Sequence, residues 1–343
     1  MKKVILLTIP LFFLAQACNF LTSGLSGGGG SGSKGVFVST DSGQTWQESN
    51  VVTGGGSLSG ADVTKLIIDQ NNSKNLLAVT NNSGVYATNN SGAEWFQLMP
   101  NISGHDAYLN PQRSQEIVAA GVVGSRPAIV KSLNSGGAWT QVYSHPVSQA
   151  AVTAVVYDQR NTSILYAGLS TGTIIKSVDG GTSWNTVVSH KDRIVRLLLA
   201  SNGSTIYELG RAEGVQRSLD GGRTWAVLKL PEKPSQYNDL TFENIANANV
   251  LYLATAAGLF KSSDGGDTWT KLSLPATPAA TLVSAVTVSQ DNRSQVFAAV
   301  RSTIYRSDDA GATWRTQSLS TNRAITSIVI DPAEPNRVYV GLK

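Results

Sequence analysis

The residues best suited to chemistry are arginines and histidines in the segments between predicted strands. Guanidinium groups bind carboxylates through paired hydrogen bonds, so several of them on one surface suit an acidic partner. Three of these arginines fall between the second and third strands of different repeats, close to a central channel. Surface arginine is common, and the alternative is a set of solvated charges. The predicted partner-binding residues are Arg126, Arg211, Arg301, Arg193, Arg323, His145 and His190.

Catalytic and metal-binding patterns are weak. A glycosidase needs two carboxylates about 5 to 10 Å apart. Acidic residues that we assign to the loops include Asp106, Asp192, Glu232 and Asp239. Asp192 with Asp239 or Glu232 is a conceivable pair that nothing in the sequence singles out. The 3 histidines offer too few convergent ligands for zinc. No phosphate loop, dinucleotide fingerprint or Ser-His-Asp order is visible. We therefore predict no catalytic residue, no metal and no cofactor.

Composition favours short strands joined by many turns. The 343 residues are 41% hydrophobic and 15% charged, with 33 glycines. This balance excludes a coiled coil, a helical bundle and an acidic disordered chain. The formal net charge of +4 does not indicate a nucleic-acid partner.

The first residues are typical of an export signal. Lys2 and Lys3 precede an apolar run over residues 4–14 and small residues at 15–17. The apolar run is too short to span a bilayer as a stable helix. We predict that residues 1–17 are a signal peptide and that the protein is exported.

Cys18 is the only cysteine and directly follows this signal. It resembles the lipid-carrying cysteine of bacterial lipoproteins, although Ala15 and Gln16 are unusual before it. The alternative is ordinary cleavage after Ala17. The predicted membrane attachment is a lipid on Cys18, followed by a Gly/Ser-rich tether over 18–34, on the periplasmic or cell-surface side. A lone cysteine excludes intramolecular disulfides.

The rest of the chain repeats a turn motif, Ser/Thr-x-Asp/Asn-x-Gly-x-x-Trp. Its tryptophans are successively 49, 44, 45, 41, 44 and 45 residues apart, a period typical of a four-stranded propeller blade. The Asp/Asn and Trp residues are Asp41 and Trp46, Asn90 and Trp95, Asn134 and Trp139, Asp179 and Trp184, Asp220 and Trp225, Asp264 and Trp269, and Asp309 and Trp314.

Each position of this motif has a structural explanation. The Asp or Asn oxygen accepts hydrogen bonds from turn N–H groups, the Gly supplies a positive φ, and the hydroxyl ties the turn back. The tryptophan packs between sheets. Because Asn90 and Asn134 replace aspartate in two copies, the charge is not essential, which favours a structural role over metal binding.

Three apolar segments precede each turn and one follows it, which predicts strands A to D of a blade. Residues 324–330 and 337–341 are A and B strands without a turn, whereas 35–39 is a C strand that lacks A and B. We expect the two chain ends to complete one blade. The prediction for residues 35–343 is an all-β, seven-bladed β-propeller of four-stranded blades.

The motif resembles the Asp-box, or bacterial neuraminidase repeat, over nearly the whole mature chain. Such repeats occur in sialidases, xyloglucan hydrolases, sortilin-like receptors and the seven-bladed photosystem II assembly factor, itself a lipoprotein in cyanobacteria. The export signal and single propeller make this chain most similar to the last group. The resemblance implies a non-catalytic scaffold that binds a protein partner with an acidic surface.

A glycan-directed hydrolase or carbohydrate-binding propeller is the alternative that the same resemblance leaves open. A sialidase carries a Phe/Tyr-Arg-Ile-Pro segment, and the nearest string here, from Ser125 to Ala128, has different residues. Tyr237 near Asp239 fits part of a nucleophile pair. We therefore rank a glycan ligand below a protein partner.

Overall fold

The computed structural model describes residues 32–146, 150–275 and 282–343. The predicted signal peptide and Cys18 lie outside these ranges. The chain forms an all-β propeller of seven four-stranded antiparallel sheets, as the repeats predict. In the described part, no helix is long and apolar enough to cross a membrane.

Blades 1 to 3 each contain four consecutive strands. Blade 1 comprises β5 (Val63–Ile68), β6 (Leu76–Thr80), β7 (Gly84–Thr88) and β8 (Phe96–Met99). Blade 2 comprises β9 (Ile102–Asn110), β10 (Arg113–Val123), β11 (Arg126–Ser132) and β12 (Thr140–Ser144). Blade 3 comprises β13 (Val152–Tyr157), β14 (Leu165–Leu169), β15 (Thr173–Ser177) and β16 (Asn185–Ser189).

Blades 4 to 6 repeat this order. Blade 4 comprises β17 (Ile194–Leu199), β18 (Ile206–Gly210), β19 (Gly214–Ser218) and β20 (Ala226–Leu228). Blade 5 comprises β21 (Tyr237–Asn244), β22 (Asn247–Thr255), β23 (Gly258–Ser262) and β24 (Thr270–Leu272). Blade 6 comprises β25 (Ala285–Val288), β26 (Val296–Val300), β27 (Thr303–Ser307) and β28 (Arg315–Ser318).

Blade 7 joins the two ends of the propeller, which confirms the predicted closure. Its A and B strands are β29 (Ile325–Ile330) and β30 (Val338–Leu342), and its C and D strands are β1 (Gly35–Ser39) and β2 (Gln47–Glu48). Strands β1 and β30 pair over five residues, from Gly35 with Leu342 to Ser39 with Val338. The ring therefore closes through a continuous ladder of backbone hydrogen bonds.

The hydrophobic core is divided among the blade interfaces. Each of seven clusters of buried side chains joins two neighbouring blades. In one of them, Phe297 of blade 6 packs with Phe37 and Val340 of blade 7. Because burying apolar surface between blades is the main stabilising contribution, each blade depends on both neighbours.

The repeated motif forms the turn between strands C and D, as predicted, and we name it the tryptophan turn. In every copy the Ser or Thr hydroxyl donates to the Asp or Asn Oδ1 and accepts the N–H of the glycine, as Ser39 does with Asp41 at 2.7 Å and Gly43 at 2.7 Å. The seven glycines have φ between +81° and +100°. These contacts tie the motif residues into the turn.

Tryptophan turns with aspartate differ from those with asparagine at the residue four positions after the Asp or Asn. In the five aspartate turns this residue is Thr or Ser, whose hydroxyl donates to the second carboxylate oxygen, as Thr313 does to Asp309 at 2.6 Å. In the asparagine turns it is Glu94 or Ala138. An amide has only one acceptor oxygen, so this hydroxyl loses its acceptor when aspartate becomes asparagine.

A hairpin that the sequence did not predict follows blade 7. Strands β3 (Val51–Val52) and β4 (Gly56–Ser57) precede a 3-10 helix, Leu58–Gly60. Backbone bonds of 2.8 Å join this hairpin to Trp95, whose indole Nε1–H donates to the Ser49 carbonyl at 2.8 Å. The insertion explains why this tryptophan spacing is the longest.

The connections divide between two faces of the propeller. The turns between strands A and B and the tryptophan turns form the turn face, whereas the connections between strands B and C and between successive blades form the loop face. This division follows from alternating strand direction and agrees with the sequence interpretation. The arginine-bearing segments belong to the loop face.

We expect Thr313→Val to weaken its turn in a pH-dependent way. Bonds from the hydroxyl and N–H of Thr313 lower the pKa of Asp309 to about 2. Their stabilising contribution is therefore present above about pH 4 and is lost as the pH falls toward about 2. Urea unfolding should show a lower stability of the variant at neutral pH, and a smaller difference near pH 2.5.

Thr316→Val is the matched control, because Thr316 is an exposed residue of β28 in the same blade. Equal losses of stability for both variants at every pH would contradict the assigned role of the Thr313 hydroxyl.

Candidate functional site

The A strands surround the axis, and in six of the seven blades a β-bulge near the start of the A strand sets which side chains reach it. The pairing shifts there by one residue, for example between Ile194 and Arg196. The residue after the extra one has the same register in these six blades as Ala285 has in blade 6. We name this set the axial ring: Lys65, Asp106, Ala154, Arg196, Asp239, Ala285 and Ser327.

Bulge and ring side chains bind the backbone of the next blade. The hydroxyl of Thr326 donates to the Val63 carbonyl at 2.6 Å, and Ser327 Oγ accepts from the Leu66 N–H at 3.1 Å. Thr64, Asn238 and Ser284 donate in the same way to blades 2, 6 and 7. These groups satisfy backbone groups of blades 1, 2, 6 and 7 at the inner edge of the A strands, where no neighbouring strand lies.

Asp106 and Asp239 perform the same task with carboxylates. Asp106 accepts the N–H groups of Ala107 at 3.0 Å and Val155 at 3.1 Å, one on each oxygen. Asp239 accepts those of Leu240 at 2.9 Å and Val286 at 3.1 Å. Every carboxylate oxygen therefore already has a backbone donor.

The two carboxylates differ in their cationic partners. Arg196 forms an ion pair with Asp239, whereas Asp106 has no described cation in ion-pair contact. Burial raises the pKa of Asp106 to about 7, and the nearby charge of Asp239 adds to this rise. Burial also raises the pKa of Asp239, while Arg196 opposes the change.

The location of these two carboxylates corrects the sequence interpretation, which placed Asp106 and Asp239 in loops. Both lie inside A strands, β9 and β21, and both are buried. The bulge interrupts the alternation of apolar and polar residues, so the segments look irregular in sequence. Tyr237 is also buried, at the start of β21.

On the loop face, Arg193 and Arg211 lie together in blade 4. The Arg211 N–H donates to the Arg193 carbonyl at 2.9 Å. Burial lowers the pKa of Arg211, as does the positive charge of Arg193, whereas Asp192 raises it. The Arg211 guanidinium is therefore acted on both by the positive charge of Arg193 and by the negative charge of Asp192.

Asp192 organises the backbone of this cluster. Its Oδ2 accepts the N–H groups of Ala212 and Glu213, each at 2.7 Å. A Cβ on Gly210 would lie 2.4 Å from the same oxygen, so only glycine permits this approach. Asp192 thus holds the connection between β18 and β19 against the segment that precedes β17.

His105 is the bulge residue of blade 2 and lies near the same charges. Burial lowers its pKa to about 4, and the positive charge of Arg193 contributes. The imidazole is therefore neutral at physiological pH. A loop-face cavity of about 310 Å³ is lined by His105, Asp62, Thr64, Asn81 and Lys343.

The other predicted arginines are distributed around the loop face. Arg301, in blade 6, adopts a φ of +56° between β26 and β27. Arg323 donates through Nε to the Gly32 carbonyl at 3.1 Å. Arg126 is the first residue of β11 rather than a loop residue, because only Gly124 and Ser125 connect β10 to β11.

The structure thus brings Arg193 and Arg211 together. It places Arg126 and Arg301 two blades away from Arg211 on either side. Joint action of Arg126, Arg211 and Arg301 on one partner stays a prediction.

His145 and His190 occupy equivalent positions in blades 2 and 3, as predicted. The backbone N–H of His145 donates to the Pro127 carbonyl at 2.9 Å, and that of His190 donates to the Gly172 carbonyl at 2.8 Å. His190 Nδ1 also lies 2.5 Å from Oε2 of Glu208, a fully buried residue of β18. Burial raises the pKa of Glu208, and His190 opposes this rise.

Sequence reasoning missed the Glu208 contact because the partners are 18 residues apart in different blades. One signal was available: Glu208 interrupts the apolar residues of a B strand, where a charged side chain needs a partner. Within the described ranges, no group of three His, Cys, Asp or Glu side chains is arranged to hold a metal ion.

These features define a seven-bladed β-propeller. Arg193 and Arg211 lie together on its loop face, and the carboxylates of Asp106 and Asp239 bind backbone N–H groups near its axis. Residues 113–326 match the DUF6242 beta propeller domain, so the chain belongs to this family. No curated protein matches the sequence.

Solved structures with the same fold include GH74 enzymes and YCF48. The GH74 enzyme from Niastella koreensis has a TM-score of 0.70 and 19% identity over 85% of this chain and 52% of its own. The GH74 xyloglucanase from Xanthomonas campestris has a TM-score of 0.70 and 17% identity over 82% and 51%. The chain therefore spans about half the length of these enzymes.

YCF48 from Cyanidioschyzon merolae is similar over nearly its whole length. Its TM-score is 0.61 with 15% identity, covering 82% of this chain and 95% of YCF48. A structure of YCF48 bound to D1 peptide has a TM-score of 0.63 and 12% identity, covering 82% and 92%. At these identities, the similarities show the fold alone.

We expect Asp106→Asn to remove part of the pH dependence of stability. Since the pKa of Asp106 is raised to about 7 in the folded protein, its contribution favours folding at low pH and declines between about pH 4 and pH 8. Urea unfolding should show this decline in wild type and a flatter profile in the variant. The lost backbone bond costs about 1 kcal/mol.

Asp239→Asn is the contrasting variant, because it removes the buried carboxylate that pairs with the partly buried Arg196. Breaking a buried ion pair costs roughly 3 to 5 kcal/mol, so this variant should be much less stable throughout the range. An unchanged pH profile in Asp106→Asn would show that Asp106 does not titrate near neutrality.

Proposed function

We propose that the chain is an exported, lipid-anchored propeller that binds a protein partner near a bacterial membrane and catalyses no reaction. The observation that carries this proposal is that Arg193 and the partly buried Arg211 lie close enough on the loop face for the charge of one to act on the other. Asp192 already accepts two backbone hydrogen bonds. An acidic segment of a partner would supply the missing carboxylates.

The shape of the loop face supports a protein partner. Arg126, Arg211 and Arg301 lie on alternate blades, so a partner that contacts all three must cover a broad surface rather than enter a pocket. The structure of YCF48 bound to D1 peptide is an example of a protein with this fold that binds a peptide.

The proposed anchor is a lipid on Cys18. The described chain begins on the loop face, where the Gly32 N–H donates to Asn322 Oδ1 at 3.4 Å and Arg323 binds its carbonyl. A lipid on Cys18 would keep the propeller near the membrane surface. We therefore expect the partner to be a membrane protein or a protein bound to one.

A glycan-directed hydrolase or carbohydrate-binding propeller is the second candidate. The buried pair Asp106 and Asp239, with raised pKa values, favours it, as does the similarity to GH74 enzymes. A backbone donor on every oxygen of both carboxylates argues against catalysis, because proton transfer needs a free oxygen that substrate can reach.

Crosslinking in the native membrane tests the proposed partner. We expect wild type to capture a protein that Arg193→Glu/Arg211→Glu loses, because the charge reversal repels an acidic segment. Arg223→Glu is the control, since Arg223 is exposed on a tryptophan turn of the opposite face of blade 4. Capture by the correctly folded double variant, or none by wild type, would contradict the proposal.

Incubation with xyloglucan and sialylated glycans tests the second candidate. We expect no release of reducing sugar or sialic acid by wild type, because the axial carboxylates are buried and each of their oxygens accepts a backbone N–H. Glycan cleavage that disappears in Asp106→Asn would instead identify a hydrolase.

A further inference from the structure

A cavity of about 310 Å³ occupies the turn-face half of the central channel. Three ring residues, Lys65, Asp106 and Arg196, line it. The bulge residue His105 instead lines the separate loop-face cavity. The axial ring therefore forms the inner end of the turn-face cavity.

The lining changes character along the axis. Beyond the charged inner end, the walls include the apolar or aromatic side chains of Ile67, Tyr108, Leu198 and Val329. The outer lining consists of turn residues between strands A and B, namely Gln70, Asn71, Asn110, Pro111 and Gln159. This arrangement suits a small molecule with a polar head and an apolar body.

Lys65 is the ring group whose charge the protein does not neutralise. The described lysines that form ion pairs are Lys34, Lys131, Lys233 and Lys271, and Lys65 is not among them. Its side chain is only partly exposed. A partly buried ammonium group without a counterion favours a bound anion.

The equivalent position in blade 4 shows how such a charge is otherwise compensated. Each of these two residues lies one blade before a ring aspartate: Lys65 in blade 1 before Asp106 in blade 2, and Arg196 in blade 4 before Asp239 in blade 5. Arg196 forms an ion pair with Asp239, whereas Lys65 forms none with Asp106. Because Asp106 already accepts a backbone N–H on each oxygen, an incoming acceptor finds its free donor on Lys65.

We propose that this cavity binds a small organic anion with an apolar body, of the aromatic or short-chain carboxylate class, with its carboxylate on Lys65. The apolar body would lie between Ile67, Leu198 and Val329. Ligand pockets in proteins begin at about 300 Å³, so this cavity is large enough to hold such a molecule.

This site is independent of the proposed partner surface. The cavity is lined from the turn face, whereas the arginines lie on the loop face. Loss of one function therefore leaves the other measurable in the same preparation.

Isothermal titration calorimetry with benzoate and hexanoate tests the inference, with benzyl alcohol as the neutral probe. We expect at least one carboxylate to bind with one-to-one stoichiometry and benzyl alcohol not to bind. Lys65→Gln should weaken binding about tenfold, as expected for loss of one charged hydrogen bond. Lys74→Gln, at an exposed lysine of the same blade, should leave the affinity unchanged.

Leu198→Phe provides a second test if Lys65→Gln does not fold, because the larger side chain occupies the cavity and should abolish binding. The proposal is overturned if neither carboxylate binds wild type, or if a folded Lys65→Gln or Leu198→Phe variant binds as tightly as wild type.

Discussion

The unpaired inner edge of the A strands is the constraint on which the rest of the propeller depends. Each A strand pairs only with its own B strand. Its other edge leaves backbone N–H and carbonyl groups near the axis, where an unsatisfied group is costly. Side chains of the bulge supply the partners, and because Thr326, Ser327 and Asp239 reach into the next blade, the same bonds hold neighbouring blades in register.

The number of blades and the closure of the ring could be predicted because their signals are local. The tryptophan turn is built within eight residues, from Ser39 to Trp46 in the first copy, so its chemistry is visible as a fixed spacing. The missing A and B strands at one end of the chain match the extra ones at the other. Repetition thus converts local turn chemistry into a prediction of the complete architecture.

The axial ring could not be predicted in the same way, because its bonds join residues in different blades. Ser327 and Leu66 are 261 residues apart, and nothing near either one indicates the contact. A polar residue in an A strand therefore looks like part of a loop, as Asp106 did. The residue that distinguishes aspartate from asparagine turns was visible in principle, since Thr45 and Ala138 occupy the same motif position.

The ring also separates charge needed for structure from charge that is not. Ser327 bridges two blades with a neutral hydroxyl, so bridging alone does not require a carboxylate. At Asp239 the negative charge serves Arg196. Neither Asp106 nor Lys65 forms such an ion pair, although both line the turn-face cavity. Since unpaired charge beside an apolar interior destabilises the fold, the anion that we propose for this cavity would offset the positive charge of Lys65.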